Sequence, residues 1–345
     1  MNLSKLFSFC SSDLGVDLGT ANTLVYSRGR GVVLNEPSLV ALNKKTHRIE
    51  AVGREAREML GRTPRDLTVI APLQEGVIAN FDLAEKMLRH FISQARRDRR
   101  FLNPKVVIGV PGEANAVERR AVKDAAYRAG ARQVSMVREA VAAAIGAGLP
   151  TDEPRASMVV DLGGGTTDIA VLSLSGIVYA REVRVAGRNL DEAIKDYVKR
   201  RHKLLIGKLT AERIKIEIGS ALPLQTPLSA EVRGRSITEG SPKSITVTDA
   251  EVRAALAGPL SVIARAIRDA LARIPPELSN DLVDRGIIIT GGTALLRNLD
   301  RRLMEETGLP VTVDANALSS VALGVGRLLE DAPLSDRSTC EALLE

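Results

Sequence analysis

The apolar pattern opens with short strand-like runs broken by turn residues. Leu14 to Val16 lead into Asp17-Leu18-Gly19-Thr20, and a second β-rich run, Asn22 to Tyr26, follows. The same arrangement recurs mid-chain. Met158 to Val160 lead into Asp161-Leu162-Gly163-Gly164-Gly165-Thr166-Thr167-Asp168 and then Ile169 to Leu174. Both are patterns of a hairpin with a glycine-bearing turn. Between them, residues 83–100 carry helical spacing that Pro104 stops. Val106 to Val110 predict a short buried strand ended by Pro111 and Gly112, and Ala116 to Ala129 a helix. Ser135 to Val137 begin another element, and the small residues Ala140 to Gly146 predict a helix that packs closely. Residues 150–156 read as a linker.

Beyond the second hairpin, helices are expected near Leu190 to His202 and Thr210 to Ile218. Residues 220–248 are β-rich, and a long helix spans about Asp249 to Arg273. Ile287 to Thr290 form a buried strand, and Gly291-Gly292-Thr293 turn into a helix at Ala294. Strands alternating with helices predict an α/β fold.

The chain of 345 residues is long enough for two domains with a sizeable core. Aromatic residues make up only 3%, with no Trp, so stacking on nucleic-acid bases is not its expected mode of binding. Cysteine occurs only at Cys10 and Cys340, with no Cys/His cluster at metal-ligand spacing. That usage predicts a reducing, cytoplasmic setting. No apolar run reaches the roughly 18 residues of a membrane span, and the start lacks a signal-peptide core. A net charge of +6 admits an anionic partner, although most basic residues are interspersed with acids.

The glycine turns carry the candidate chemistry. Glycine lets backbone approach a phosphate, successive N–H groups can aim at its oxygens, and a Thr hydroxyl adds a donor. An Asp at the strand end suits a hydrated divalent cation. One such turn is equally an ordinary tight turn. Two in matching settings predict a duplicated domain that grips one polyphosphate from two sides.

Two further segments bear on membranes. Leu3, Leu6, Phe7 and Cys10 share one helical face. They read either as an amphipathic membrane-surface anchor or as a disordered or core-packed terminus. Phe101 and Leu102 follow Arg96, Arg97, Arg99 and Arg100. They read as a membrane-insertion tip or as side chains folded back on the core.

Several longer strings resemble the MreB-type bacterial actins, within the actin/Hsp70/sugar-kinase ATPase superfamily. They are Asp17 to Thr23, Leu34 to Ser38, Val117 to Ala121, Ala142 to Gly146, Asp161 to Thr167, Ala211 to Lys215 and Leu295 to Asp300. The resemblance covers roughly residues 13–330. It implies an actin-like ATPase fold of two lobes, each an RNase-H-like core with a small insertion. The expected division is 1–12 as the membrane-binding N-terminus, 13–153 as the first lobe with its insertion at about 41–73, 154–318 as the second with its insertion at about 190–253, and 319–345 as the return and tail.

The resemblance also implies ATP and Mg2+ as cofactors. Gly19, Thr20, Ala21 and Asn22 match the first phosphate loop, and Gly163, Gly164, Gly165 and Thr166 the second. Asp17 and Asp161 match the acids that hold the hydrated metal. Glu212 and Lys215 match positions near ribose and adenine, and Gly291, Gly292 and Thr293 the adenosine loop. Glu139 matches the glutamate that orients the attacking water, so Glu139 and Asp161 are the catalytic candidates of a weak ATPase. Implied partners are further copies of the chain in head-to-tail, antiparallel-paired filaments, the inner face of the cytoplasmic membrane, and the elongation proteins RodZ, MreC and MreD, with no nucleic acid.

The chain departs from the family pattern in several places. Arg138-Glu139-Ala140-Val141 stand where Glu-Glu-Pro-Met is usual. Loss of the proline frees the backbone there, Arg138 adds a positive charge beside the glutamate, and altered hydrolysis is expected. Thr293 replaces a third glycine and is either tolerated or crowds the ribose. Ala186-Gly187-Arg188-Asn189 replace a segment that usually carries an acid, though they resemble the corresponding actin segment. Glu75 and Asn80 stand for Asp, and Ala71 for Arg. These departures leave room for a non-polymerising nucleotide-binding paralogue. A metabolic kinase is less favoured, for no acceptor-site signature is visible.

Overall fold

A computed structural model describes residues 13–96, 103–330 and 343–344. Leu3, Leu6, Phe7, Phe101, Leu102 and both cysteines lie outside the described residues. Two main sheets carry the fold. The first runs, edge to edge, Leu343–Leu344, Gln133–Arg138, Lys105–Val110, Leu14–Leu18, Asn22–Ser27 and Gly31–Pro37. The second runs Gly176–Val183, Thr167–Ser173, Ser157–Leu162, Ile287–Thr290 and Val311–Val313.

Without Leu343–Leu344, the two sheets have one topology. The first strand of each pairs antiparallel with the next in sequence and parallel with a later one: Leu14–Leu18 with Asn22–Ser27 and Lys105–Val110, Ser157–Leu162 with Thr167–Ser173 and Ile287–Thr290. A third antiparallel strand and a further parallel strand complete each sheet. The central strands are buried on both faces, which is why Ser157–Leu162 reads as continuous rather than alternating burial. Each repeat also carries a small three-stranded sheet. One comprises Val40–Asn43, Ile49–Val52 and Leu67–Ile70, the other Leu204–Leu205, Ser229–Ser236 and Pro242–Thr248.

Local chemistry moves several helix ends from their expected positions. Asn80 caps helix Phe81–Ala95, its side chain accepting the Leu83 N–H at 3.1 Å. Asn80 therefore does the capping an Asp would do there. Asn189 accepts the Ala186 N–H at 2.9 Å, which lets helix Gly187–His202 begin before Leu190. The helix expected at Ala294 is a 3-10 turn, Gly292–Leu295, followed by helix Leu299–Thr307.

The chain leaves the first sheet through helix Glu139–Gly146 and returns from the second through helix Ser320–Glu330. These two helices cross with their backbones in contact. A Cβ on Gly146 would lie 1.8 Å from the Ser320 carbonyl oxygen, and one on Gly324 1.8 Å from that of Ala142. Around the crossing, Ala142, Ala143, Val321 and Val325 pack with Val107 and Val137 of one sheet and Val159 and Ala170 of the other. This small core joins two larger ones, each confined to its own repeat.

Gly324→Ala should therefore cost about 3 kcal/mol or more through overpacking. Gly207→Ala, at the extended N-cap of helix Lys208–Ile218 with nothing near its would-be Cβ, should change stability by less than about 1 kcal/mol. Denaturant unfolding of the two variants beside the parent checks the contrast.

Candidate functional site

The two glycine turns face each other across a cleft of about 1260 Å³ between the repeats. Leu18 pairs with Thr23 and Leu162 with Thr167, so Gly19–Asn22 and Gly163–Thr166 are equivalent turns. They interlock where side chains are missing. A Cβ on Gly164 would fall 2.6 Å from that of Ala21, and one on Gly165 would fall 2.9 Å from the Thr20 side chain.

The hydrogen bonds of the turns are one-sided. The Gly19 and Ala21 carbonyls accept from Ser38, through its hydroxyl at 2.6 Å and its N–H at 2.9 Å. The Thr20 carbonyl accepts from Arg188. The Gly163 carbonyl accepts from the Gly187 N–H at 3.2 Å and the Thr293 hydroxyl at 2.8 Å, and the Gly164 carbonyl from the Arg188 N–H at 2.8 Å. Yet among the described residues no acceptor takes the N–H of Gly19, Thr20, Ala21, Gly164 or Gly165. Pinned carbonyls beside free N–H groups in a cleft fit an anion with several oxygens.

Acids concentrate behind the turns. Asp17 and Asp161 occupy matching positions, each just before the last paired residue of its central strand. Enclosure by protein, then the Asp161 carboxylate, pushes Asp17 up to about 7. Burial pushes Asp161 up to about 6, against a hydrogen bond from the Thr290 hydroxyl at 2.8 Å. Glu139, the first residue of its helix, is only 8% exposed. Burial, then Asp168, Asp17 and Asp161, hold its carboxyl well above the usual range. Asp168 is 3% exposed, with one carboxylate oxygen unpartnered. Burial and the charges of Glu182 and Asp161 raise it too. No cation among the described residues pairs with these four acids, so their ionisation goes uncompensated by protein charge.

Among the described residues no three His, Cys, Asp or Glu side chains converge to ligate a metal directly. Two uncompensated carboxylates at the foot of an anion cradle fit a divalent cation held through its water shell.

All the residues proposed for nucleotide, metal and catalysis from the sequence line this one cleft: Asp17, Gly19 to Asn22, Glu139, Asp161, Gly163 to Thr166, Glu212, Lys215 and Gly291 to Thr293. Gly291 has φ 83°, and its Cβ would strike the Leu162 carbonyl at 2.3 Å, so glycine is required there. Thr293 is spoken for by its bond to Gly163. Glu212 is bonded by Arg57 at 2.7 Å, and Lys215 pairs with Asp191 at 2.8 Å while donating to the Gly187 carbonyl at 3.0 Å.

Arg138 lies beside a second cavity. It lines this space of about 90 Å³ with Ala140, Val141, Asp168 and Glu182. Its Nε is buried without an acceptor. The smaller residues in the places of the usual Pro and Met line this same cavity. Sequence reasoning gave no role to Arg57, Asp168 or Arg188. Arg57 and Glu212 lie 155 residues apart, and nothing in the sequence pairs them. Asp168 and Arg188 were visible within the motifs but without partners.

Comparison with known proteins places this geometry in context. The family model described as MreB/Mbl protein matches residues 11–337. The chain is similar to the cell shape-determining protein MreB of Escherichia coli strain K12, with 51% identity over 334 residues, 95% of this chain and 96% of that protein. Similarity to the cell shape-determining protein Mbl of Bacillus subtilis strain 168 is 47% over 319 residues, 92% and 96% of the two chains. Among solved structures, MreB5 of Spiroplasma citri bound to ADP superimposes with a TM-score of 0.89 at 36% identity, covering 94% of this chain and 98% of that one. The MamK double helical filament gives 0.80 at 26% identity, covering 93% and 99%. The fold is actin-like.

A carboxyl whose folded pKa exceeds its unfolded value holds a proton that the unfolded chain has lost. Its contribution is full below the ordinary value of 3.8 and is lost as pH rises through about 6 for Asp161 and about 7 for Asp17. Nucleotide-free Asp17→Asn should therefore melt increasingly above the parent as pH rises from 5 to 8. Calorimetry across that range checks it, and a pH-independent gap contradicts the assignment.

Proposed function

The chain belongs to the MreB/Mbl family, and on that premise we propose that it is an ATP-dependent, actin-like filament protein. It works at the inner face of the cytoplasmic membrane, where it organises cell-wall synthesis and rod shape. The observation that carries the reading is the pair of interlocked turns in which the carbonyls of Gly19 to Ala21, Gly163 and Gly164 are bonded while, among the described residues, the N–H groups of Gly19 to Ala21, Gly164 and Gly165 find no acceptor.

Gly19 to Asn22 and Gly163 to Thr166 bind the phosphates of ATP from two sides. Asp17 and Asp161 hold a hydrated Mg2+, which when bound offsets the charge on the phosphate oxygens. The Glu139 carboxylate orients a water toward the terminal phosphate and takes its proton as the water oxygen bonds to phosphorus and the bond to the ADP oxygen breaks. Glu212, Lys215 and the Gly291-Gly292-Thr293 turn flank the nucleoside. The four uncompensated acids make the site dependent on the cation, and hydrolysis is slow.

The two lobes are 13–153 and 154–318, with insertions near 41–73 and 190–253. Filaments form head-to-tail, a contact that does not close into a ring. Helix Ala116–Arg128 supplies the antiparallel contact between protofilaments. It presents Val117 at 78% exposure beside exposed Arg120 and half-buried Lys123. Leu3, Leu6 and Phe7 together with Phe101 and Leu102 supply the membrane contact, each weak and multiplied by polymerisation. RodZ, MreC and MreD are the partners in view. The altered Arg138-Glu139-Ala140-Val141 segment and its cavity favour, as a second reading, a nucleotide-binding regulator that does not polymerise.

Electron microscopy on anionic lipid with ATP and Mg2+ should show paired filaments that Asp161→Ala lacks. Bound nucleotide without filaments selects the regulator. Removal of residues 1–10 combined with Phe101→Ser and Leu102→Ser should abolish liposome co-sedimentation, and undiminished binding refutes the anchor.

A further inference from the structure

Arg188 has no part in the roles given above, yet its position is unusual. It is the second residue of helix Gly187–His202, and its N–H donates to the Gly164 carbonyl at 2.8 Å. Its guanidinium reaches across the cleft. Nη2 donates to the Thr20 carbonyl and Nη1 to the Leu73 carbonyl at 3.4 Å. One residue thus hydrogen-bonds both glycine turns, the second through its main chain and the first through its side chain.

The guanidinium has no carboxylate of its own. The acids that act on it are Asp191 and Glu212. Asp191 is paired with Lys215 at 2.8 Å and Glu212 with Arg57 at 2.7 Å. Its charge is therefore directed onto neutral carbonyl oxygens of the opposite repeat. Those oxygens belong to the turn whose N–H groups are left free, and to the strand Leu73–Gln74 beside it. The neighbouring Gly76 N–H also bonds the Thr20 hydroxyl, at 3.0 Å. An acid in this segment, the residue type expected from the family pattern, has no donor for the Thr20 carbonyl and would repel it.

We infer that Arg188 is a positioning residue that fixes the spacing of the two glycine turns and so sets how fast nucleotide leaves the cleft. The inference rests on the nucleotide-binding reading and adds to it a control residue. A charge-assisted bond to Thr20 holds the first turn against the second, and the cleft cannot widen while it persists. Loss of the guanidinium leaves the main-chain bond to Gly164 intact. The second turn keeps its shape while the first is released.

The test measures release of a fluorescent ADP analogue from the parent, Arg188→Ala and Arg188→Lys by stopped flow. Arg188→Ala should release about ten-fold faster or more, and Arg188→Lys should recover part of the difference. Millimolar methylguanidinium should slow release from Arg188→Ala and leave the parent unchanged, a response that simple misfolding would not give. Release from Arg188→Ala indistinguishable from the parent overturns the inference.

Hydrogen exchange at Gly19–Asn22 in nucleotide-free protein provides an independent arm. If the parent takes up no nucleotide, the nucleotide reading itself fails, and this arm decides the spacing role alone. Faster exchange in Arg188→Ala supports it, and unchanged exchange overturns it.

Discussion

The cleft is organised by what happens to the main-chain oxygens of two short turns. A backbone amide brings a donor and an acceptor together, and both need partners when they leave water. Here the protein satisfies the acceptors and leaves the donors. Ser38, Arg188, Thr293 and the start of helix Gly187–His202 all converge on carbonyl oxygens of Gly19 to Ala21 and of Gly163 and Gly164. These partners come from both repeats, so local turn chemistry depends on how the halves are placed. The absent side chains at Gly164 and Gly165 permit that placement, because a Cβ at either would collide with Ala21 or Thr20.

Acids and free donors occupy the same cleft and act in opposite senses. The N–H groups favour an anion, and Asp17, Glu139 and Asp161, with Asp168 behind them, oppose one. A polyphosphate alone would face that repulsion, whereas a polyphosphate with a divalent cation presents each side with its complement. Burial is the first cause of every one of these raised pKa values, with mutual repulsion added. A site built this way responds to cation and protons together.

Much of the arrangement was legible in the sequence because it is local. The hairpins follow from apolar runs meeting Asp-Leu-Gly, and the duplicated sheet order follows from their recurrence. Glu139 was legible only through the resemblance, for alone it reads as an ordinary helix residue. What stayed hidden depends on three-dimensional closure. Arg138 lines a cavity together with strands of the second sheet, a placement that adjacency to Glu139 in the chain does not reveal. The Arg57–Glu212 bond joins side chains 155 residues apart in the chain. The early start of helix Gly187–His202 comes from the Asn189 side chain bonding back to Ala186, a capping pattern that periodicity does not register.

The crossing of helices Glu139–Gly146 and Ser320–Glu330 bears on how the halves move. At the closest approach stand Gly146, Gly324 and Ala142, which have no rotamers to exchange. Relative rotation there meets no sequence of interlocking side chains that must disengage and reseat. The seam has the character of a smooth bearing: stiff against separation, because the backbones already touch, and compliant to small sliding. Glu139 stands at the first turn of one bearing surface, so any sliding of the halves is delivered to the carboxylate as a displacement without an intervening linkage.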